Sequence, residues 1–269
     1  MTRMTQGRIL CIHECQTNGA LPRPGRAVRQ RHQLDVVVMG EMRKLKAIIF
    51  DVDGTLADTE SNGHLAACNE AFARMGFDIR WSWEEFKELL KIPGNARRMR
   101  LALSTRTSLS ETELDRIVPE LFALKKECYL KRVDKLPLLP GVARIIREAI
   151  DCGVRLAIVS VTDEDQILAL LKAQIPDALD HFSPILGKQS GEKDAALYAR
   201  CAAMLGCDVS EILVIEDSEK GVKAAKGAGL PCAVVYNDYT KGQDFTGAEL
   251  VVRSLECLNL DLLERLCLG

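Results

Sequence analysis

Short apolar segments alternate with amphipathic stretches over most of the chain, and this alternation limits the folds that it can adopt. The apolar segments are residues 45–50, 154–159, 212–215 and 232–235. The amphipathic stretches are residues 142–149, 166–172, 195–205 and 221–228. Buried parallel strands are short continuous apolar runs, and strands that alternate with helices favour a parallel sheet covered on both faces. The sequence therefore predicts an α/β fold, a doubly wound parallel sheet of the Rossmann-like type.

A block of helices without a convincing strand interrupts this alternation after the first strand. One of its helices has an apolar face, formed by residues at spacings of three and four: Leu65, Cys68, Phe72 and Met75. Ser110 and Glu113 have the spacing of a capping box at the start of another helix. The sequence thus predicts a Rossmann-like core of residues 43–58 and 136–269, with an inserted α-helical cap domain of residues 59–135.

Residues 1–42 differ in composition from the rest of the chain. They contain six Arg, three acidic residues, no Lys and no Ser. An Arg-rich, acid-poor segment is typical of an organellar transit peptide, although such peptides are usually rich in Ser. We prefer the interpretation that translation starts at Met42, because the residues after it lead directly into a strand. Segment 1–42 is then disordered or not translated, and the expected location is the cytoplasm, or the plastid stroma if the segment is a transit peptide.

The overall composition argues against two classes of partner. The 36 Lys and Arg residues against 38 Asp and Glu give a formal net charge of −2, without the basic excess typical of nucleic-acid binding. No apolar run approaches the roughly 20 residues that span a bilayer. The ten cysteines show no CxxC spacing and are interpreted as mostly buried thiols in a reducing compartment. We expect a monomer that binds neither nucleic acid nor a membrane.

The motif Asp51-Val52-Asp53-Gly54-Thr55, directly after the first apolar segment, is the most specific feature of the sequence. Two carboxylates at the C-terminal end of a parallel strand lie where open α/β sheets bind their ligands. The alternative interpretation is a polar turn that merely ends a strand. With average residue usage the pattern arises by chance in on the order of one chain in several hundred, so a catalytic site is favoured.

Two further apolar segments also end in polar residues. Residues 213–215 are followed by Glu216 and Asp217, whose oxygens are of the kind that Mg²⁺ prefers. A helix N-cap at Asp217 or Ser218 is the alternative. Residues 156–159 are followed by Ser160, and an isolated serine at the end of a strand is usually a turn former or a helix cap.

Residues 51–60, DVDGTLADTE, resemble the first motif of the haloacid-dehalogenase (HAD) superfamily. The resemblance implies that Asp51 is a nucleophile and Asp53 a general acid/base in phosphoryl transfer, roles that a pair of carboxyl groups can fill. The phosphate-binding residues that it implies are Gly54, Thr55, Ser160, Val161 and Lys193. The Mg²⁺ ligands that it implies are Asp51, Asp53 through its backbone carbonyl, Glu216 and Asp217.

The lysine of this family precedes a helix, which here is predicted from about Asp194 to Leu205. Lys193 fits that position best, although the usual Lys-Pro-x-Pro-Asp pattern is absent. Lys188 is the rival. An ordinary solvated lysine is the alternative interpretation for either residue.

Several further segments resemble the CbbY-type branch, which includes phosphatases of xylulose 1,5-bisphosphate. They are Gly63-His64, Asn69-Glu70-Ala71-Phe72, Trp81-Ser82-Trp83 and Asn237-Asp238-Tyr239-Thr240. Where the branch has Gly-Gly-Lys-x-Arg in the cap, this chain reads Gly94-Asn95-Ala96-Arg97-Arg98. Arg98 matches, but Ala96 replaces the lysine, and the loss of a cation weakens charge-assisted binding of a second phosphate.

The resemblance as a whole implies a Mg²⁺-dependent phosphatase of a small sugar phosphate, with xylulose 1,5-bisphosphate as one candidate. The cap residues expected to contact the substrate are Asp58, His64 and Arg98. Two alternatives stay open: a sugar phosphomutase of the β-phosphoglucomutase type, and a non-catalytic sugar-phosphate sensor on the same fold.

Overall fold

The computed structural model describes residues 44–267 of the 269-residue chain. The expectations for residues 1–42, including a start at Met42, lie outside the described residues. None of the helices within residues 44–267 combines the length and the apolar character of a transmembrane span. The expected location depends on segment 1–42 and stays a prediction.

Six strands form one parallel sheet. They are β1 (Ala47–Phe50), β2 (Arg155–Val159), β3 (Phe182–Leu186), β4 (Ile212–Glu216), β5 (Cys232–Val235) and β6 (Leu250–Val252). Their order across the sheet is β3-β2-β1-β4-β5-β6, and every neighbouring pair is parallel. The predicted parallel α/β sheet is thereby confirmed.

The α-helices of residues 44–267 are α1 (Ala66–Arg74), α2 (Trp83–Leu89), α3 (Asn95–Arg106), α4 (Glu111–Leu130), α5 (Val142–Asp151), α6 (Glu164–Gln174), α7 (Ala195–Leu205), α8 (Glu219–Gly227) and α9 (Leu260–Leu266). Helices α5 to α9 cover the two faces of the sheet. Ile48 and Phe50 of β1 pack with residues of α5, α6 and α9, whereas Ala47 and Ile49 pack with α7 and α8. Successive residues of β1 therefore serve two separate core layers, as strand geometry requires.

Helices α1 to α4 lie between β1 and β2 in the chain and enclose a third apolar cluster. Its centre contains Trp81, whose ring centroid lies 5.0 Å from that of Phe72 and 5.7 Å from that of Phe86. The expected capping box of Ser110 and Glu113 at the start of α4 is present. A π-helical turn, Glu60–Leu65, leads from the loop after β1 into α1.

The apolar pattern does not predict β3 and β6, the two edge strands. β3 contains Ser183 and Pro184, which interrupt its apolar run, and it pairs only with β2. Proline is tolerated in an edge strand because one side of the strand has no partner. β6 has only three residues, which is too short for a recognisable periodic pattern.

Candidate active site

The neighbouring strands β2, β1 and β4 end at the same edge of the sheet and bring the candidate residues together. Asp51 follows β1, and its N–H donates to the carbonyl of Ile215 in β4 at 3.0 Å. Ser160 follows β2, and Glu216 is the last residue of β4. The Asp51, Ser160 and Glu216 side chains are all buried. This edge is therefore a polar site enclosed by the fold.

Three buried carboxyl groups form the acidic centre of the site. Asp51, Glu216 and Asp217 each offer an oxygen within 4.8 Å of the others. Burial raises the pKa of Asp51 to about 7, and repulsion from Glu216 acts in the same direction. Burial, followed by repulsion from Asp51, also raises the pKa of Asp217 well above its usual value. Clustered carboxylate oxygens are suitable ligands for Mg²⁺, and a cation here would relieve the repulsion. The donor set therefore fits this ion.

Lys193 lies against two of these carboxylates. Its Nζ is 2.5 Å from Asp51 Oδ1 and 2.5 Å from Glu216 Oε1. Burial alone lowers the pKa of a lysine, but these two carboxylates outweigh it and hold the pKa of Lys193 above its usual value. Lys188, by contrast, is exposed, and its Nζ lies 4.7 Å from the ring centroid of Phe122 in α4. Of the two candidate lysines, the structure therefore places Lys193 at the acidic centre.

Gly54 turns the chain directly after the two aspartates. Its φ of +81° is in the region that favours glycine. A Cβ at this position would lie within 2.6 Å of atoms of Asp217, Asn237 and Tyr239. Glycine is therefore required both by the backbone and by the close approach of the loop after β5.

Asp53 is held as a carboxylate by three side-chain donors. Thr162 Oγ1 donates to Oδ2 at 2.5 Å, Thr59 Oγ1 donates to Oδ1, and His64 Nε2 lies 3.2 Å from Oδ1. Burial alone raises the pKa of Asp53, but the His64 and threonine contacts outweigh it and hold this pKa well below its usual value. Asp53 is therefore ionised in this arrangement, and its affinity for a proton is low.

His64 is fixed between Asp53 and a buried lysine that the sequence motifs did not identify. Lys125 Nζ lies 2.7 Å from His64 Nδ1, and the imidazole stacks on Tyr129 with a centroid distance of 4.6 Å. Burial and the adjacent Lys125 lower the pKa of His64 to about 4, so the ring is neutral at pH 7. Since Lys125 can only donate, Nδ1 accepts and we assign the proton to Nε2, which faces Asp53. His64 thus acts on Asp53 as a hydrogen-bond donor rather than as a cation.

The position of Lys125 in the sequence could have indicated that this lysine has a buried partner. It lies four residues after Leu121 and four before Tyr129, both on the buried face of α4. A lysine on an apolar helical face is unusual unless it has a buried partner. The partner, His64, is 61 residues away in the chain, so the sequence alone could not name it.

Of the remaining predicted phosphate ligands, Thr55 contacts Asp51 directly: its Oγ1 donates to Asp51 Oδ2 at 3.4 Å. Ser160 Oγ accepts from the Thr162 N–H at 3.1 Å, which fixes the hydroxyl at the end of β2. Val161, which lies between these two buried polar residues, is 56% exposed.

Two of the three residues predicted to contact the substrate from the cap form hydrogen bonds with nearby residues of the chain. Asp58 accepts a hydrogen bond from Ser61 Oγ at 2.9 Å. The Arg98 guanidinium is buried and donates to the Ile92 carbonyl at 2.8 Å and to Asn95 Oδ1 at 3.0 Å. Neither residue has a hydrogen bond to Asp51 or Asp53 among those of the described residues. Only His64 of the three contacts the catalytic candidates directly.

Glu60, the last residue of the motif 51–60, is a second residue of the site to which the sequence analysis assigned no role. Its Oε2 is buried and has no hydrogen-bond partner within residues 44–267. Burial raises the pKa of Glu60 to about 8, and repulsion from Asp53 acts in the same direction. Attraction to Arg98 acts in the opposite direction but is weaker. The Glu60 carboxyl group is therefore largely protonated at pH 7 and offers both a donor and an acceptor to a ligand.

The chain belongs to the haloacid dehalogenase-like hydrolases, because the model of that family matches residues 45–229. Both the predicted HAD-type core and the expected phosphatase class are confirmed. The more specific resemblance is to CbbY proteins. Protein CbbY of Rhodobacter capsulatus is 37% identical over 212 residues, which cover 77% of this chain and 92% of that protein. A CBBY-like protein of Arabidopsis thaliana is 33% identical over 215 residues, which cover 76% of this chain and 67% of that protein.

A solved CbbY structure shows the same fold. A variant of CbbY from Rhodobacter sphaeroides, crystallised in complex with xylulose-(1,5)bisphosphate, superposes with a TM-score of 0.73 at 32% identity. The match covers 81% of this chain and 99% of that one.

Proposed function

We propose that the chain is a Mg²⁺-dependent phosphatase of a small sugar phosphate that works through an aspartyl phosphate on Asp51. The observation that carries the proposal is the position of one buried carboxylate, Asp51, in contact with Lys193 and close to the carboxylates of Glu216 and Asp217. A nucleophile for a phosphate dianion needs nearby positive charge, and this arrangement offers a lysine together with an oxygen-rich site for a divalent cation.

In the first half-reaction an Asp51 oxygen attacks phosphorus, and the bond from phosphorus to the ester oxygen breaks. The departing sugar oxygen needs a proton, which Asp53 would provide. The donors around Asp53 oppose its protonation, so this step requires that some of them withdraw. His64 belongs to the helical block, and movement of that block away from Asp53 would let the pKa of Asp53 rise.

In the second half-reaction a water molecule attacks phosphorus and gives its proton to Asp53. The bond between phosphorus and Asp51 breaks, and inorganic phosphate leaves. The three donors keep Asp53 ionised, so it can accept a proton, but they also lower its basicity. Withdrawal of His64 would therefore favour proton transfer in both half-reactions.

Mg²⁺ bound by Asp51, Glu216, Asp217 and the backbone carbonyl of Asp53 would supply positive charge to the phosphoryl oxygens. Lys193 would bind a phosphoryl oxygen through its ammonium group. Support for this role comes from its position beside the nucleophile. The remaining proposed phosphate contacts are the hydroxyls or backbone N–H groups of Gly54, Thr55, Ser160 and Val161.

A sugar phosphate is supported by the xylulose-(1,5)bisphosphate complex of the R. sphaeroides CbbY variant. Within this chain, the largely neutral Glu60 suits a hydroxyl group. Arg98 keeps guanidinium N–H groups beyond those that donate to Ile92, Asn95 and Leu90. We propose Glu60, His64, Arg98 and Asp58 as the residues that face the sugar. Xylulose 1,5-bisphosphate is one candidate substrate. Because Ala96 replaces a lysine that could bind a second phosphate, sugar monophosphates should be tested as well.

The reaction type is tested by a panel of pentose and hexose phosphates with Mg²⁺. We expect at least one of them to release inorganic phosphate catalytically, and the release to stop when EDTA is added. Phosphate is measured colorimetrically, and sugar phosphate isomers are measured by NMR on the same samples. Isomer formation with little free phosphate would identify a phosphomutase instead. Binding without either reaction would favour the sensor.

Metal binding is expected to stabilise the protein more at about pH 8 than at about pH 6. The folded-state pKa values of Asp51 and Asp217 lie above their unfolded values. The metal-free protein therefore loses stability as the pH rises through these values, and Mg²⁺ restores it by binding the ionised groups. At saturating Mg²⁺ we expect a rise in Tm of roughly 5–10 °C at about pH 8.

Differential scanning fluorimetry with Mg²⁺ or EDTA at both pH values measures this effect. Asp217→Asn removes one carboxylate of the cluster and should abolish most of the Mg²⁺-dependent shift. An unchanged shift in Asp217→Asn would place the metal elsewhere.

A further inference from the structure

The hydroxyl of Tyr239 is buried and has no hydrogen-bond partner in the described part of the chain. A buried polar group that is left unpaired is costly, so such a group is expected to meet a ligand or water. Few other buried side-chain atoms of residues 44–267 share this condition: Glu60 Oε2, Tyr129 Oη, Arg132 Nε and Gln166 Nε2. Glu60 is also close enough to Tyr239 to act on it electrostatically.

The loop after β5 fixes Tyr239 beside the proposed metal ligands. Asn237 Nδ2 donates to Asp217 Oδ2 at 2.7 Å, and Asn237 Oδ1 accepts from the Tyr239 N–H at 3.1 Å. The Tyr239 hydroxyl, Asp217 and Asn237 all converge on Gly54. The backbone of Tyr239 is thus tied to Asp217 through a single side chain, while its hydroxyl lies over the turn that follows Asp53.

The ring of Tyr239 also contacts the helical block. Trp83, at the start of α2, meets it edge to face with a centroid distance of 5.6 Å and an interplanar angle of 85°. Such aromatic pairs add stabilisation beyond the area that they bury. Trp83 therefore holds the ring in place when α1 to α4 cover the sheet edge, so the direction of the hydroxyl is defined.

The charges around Tyr239 indicate which group its hydroxyl would bind. Four carboxyl groups act on it: Asp217, Glu60, Asp53 and Asp58. Glu60 is largely neutral, but a second phosphate at this point would face the other three carboxylates, whereas a neutral hydroxyl or carbonyl oxygen is tolerated. Burial, with Asp217 as the next contribution, raises the pKa of Tyr239 well above its usual value, so the phenol stays a donor.

We propose that Tyr239 is a specificity-determining residue whose hydroxyl donates a hydrogen bond to an uncharged oxygen of the substrate's carbon chain. This inference rests on the proposed function and adds the chemical nature of one subsite: it recognises the polyol next to the phosphoester, not a second phosphate. The site thereby separates the two ends of the substrate. Lys193 and the metal ligands face the reacting phosphate, and Tyr239 faces the hydroxylated chain.

Tyr239→Phe tests the proposal, because it removes only the hydroxyl and keeps the ring against Trp83. For the best sugar phosphate of the panel we expect kcat/KM to fall roughly 10-fold, the size of one lost hydrogen bond to substrate. For acetyl phosphate, which has no polyol, we expect a change of less than about twofold. A deoxy analogue of the substrate that lacks the contacted hydroxyl should be turned over equally by wild type and variant.

Tyr236→Phe, which removes a hydroxyl three residues earlier, is the matched control and should change neither substrate. The Tm of Tyr239→Phe should equal or exceed that of the wild type, because the hydroxyl it loses is unpaired. Equal losses on sugar phosphate and acetyl phosphate, or no loss on either, would overturn the inference. Acetyl phosphate hydrolysis that disappears in Asp51→Asn supports the proposed function independently of Tyr239. A wild-type protein that hydrolyses neither compound overturns both.

Discussion

Replacing Asp51 by asparagine is expected to abolish phosphate release while the fold persists. Asparagine keeps the shape of the side chain and still offers an oxygen to Lys193, but it cannot form an acyl phosphate. Loss of a catalytic nucleophile typically lowers kcat by 10⁴-fold or more, so roughly that decrease is expected. Phosphate release on the substrate panel measures it.

The stability of Asp51→Asn should move in the opposite direction from its activity. Burial raises the pKa of Asp51 to about 7, so its ionised form opposes folding above that pH in the metal-free protein. The neutral amide removes this contribution and reduces repulsion with Glu216. We therefore expect a Tm in EDTA at about pH 8 that equals or exceeds the wild-type value.

Two further measurements make the result specific to Asp51. Acid quenching during turnover of labelled substrate should trap a phosphorylated chain in the wild type but not in the variant. Asp151→Asn is the matched control, because Asp151 is exposed at the end of α5, next to the N-terminal end of β2 and away from the site. Wild-type activity in Asp51→Asn would reject the nucleophile.

The four strands predicted from the sequence are those whose pattern is unbroken. The segments that became β1, β2, β4 and β5 are apolar on both faces, as strands covered on both sides must be. β3 and β6 lie at the edges, where only one neighbouring strand holds them. An edge position relaxes the demand for a continuous apolar run, so the sequence of such a strand carries less information.

The acidic centre was predictable for a topological reason. The C-terminal ends of parallel strands lie at one edge of the sheet, so polar residues at the ends of the neighbouring strands β1 and β4 must lie near one another. Asp51, directly after β1, and Glu216, the last residue of β4, do so. Lys125 and Tyr239 follow no such rule. Each acquires its place through the packing of a helix or a loop against the site, which local periodicity does not encode.

The structure also separates two lysines that the sequence left as rivals. Both precede α7, and the distance along the chain between Lys188 and Lys193 is too short for sequence arguments to decide between them. Their environments differ completely, since Lys193 is buried against Asp51 and Glu216 while Lys188 is exposed. This difference provides a pair of matched variants.

Lys193→Met is expected to reduce both activity and stability strongly. The methionine fills a similar volume but leaves Asp51 and Glu216 facing each other without a cation. Breaking a buried ion pair in this way typically costs about 3–5 kcal/mol of unfolding free energy. Loss of a positive charge at the developing phosphoryl charge should lower kcat by roughly 10²- to 10³-fold. Urea unfolding and phosphate release measure the two effects.

The pH dependence distinguishes this cause from a simple packing defect. Without Lys193 the folded-state pKa of Asp51 rises further above 7, so the carboxyl group takes up a proton more readily. A group with a raised folded-state pKa loses its stabilising contribution as the pH increases, and the destabilisation should be smaller at about pH 6 than at about pH 8. A cavity or packing defect would give the same loss at both values.

Lys188→Met is the control for Lys193→Met. It removes a contact to Phe122 that is worth about 0.5–1 kcal/mol at an exposed position, so its activity should stay within about fivefold of the wild type. Mg²⁺ should recover part of the stability of Lys193→Met, because the metal ion then compensates the charge of Asp51 in place of the lysine. It should stabilise Lys188→Met no more than it stabilises the wild type. A large loss of activity in Lys188→Met, together with an active Lys193→Met, would assign the phosphate-binding role to Lys188. The charge of Asp51 would then have to be compensated by the metal alone.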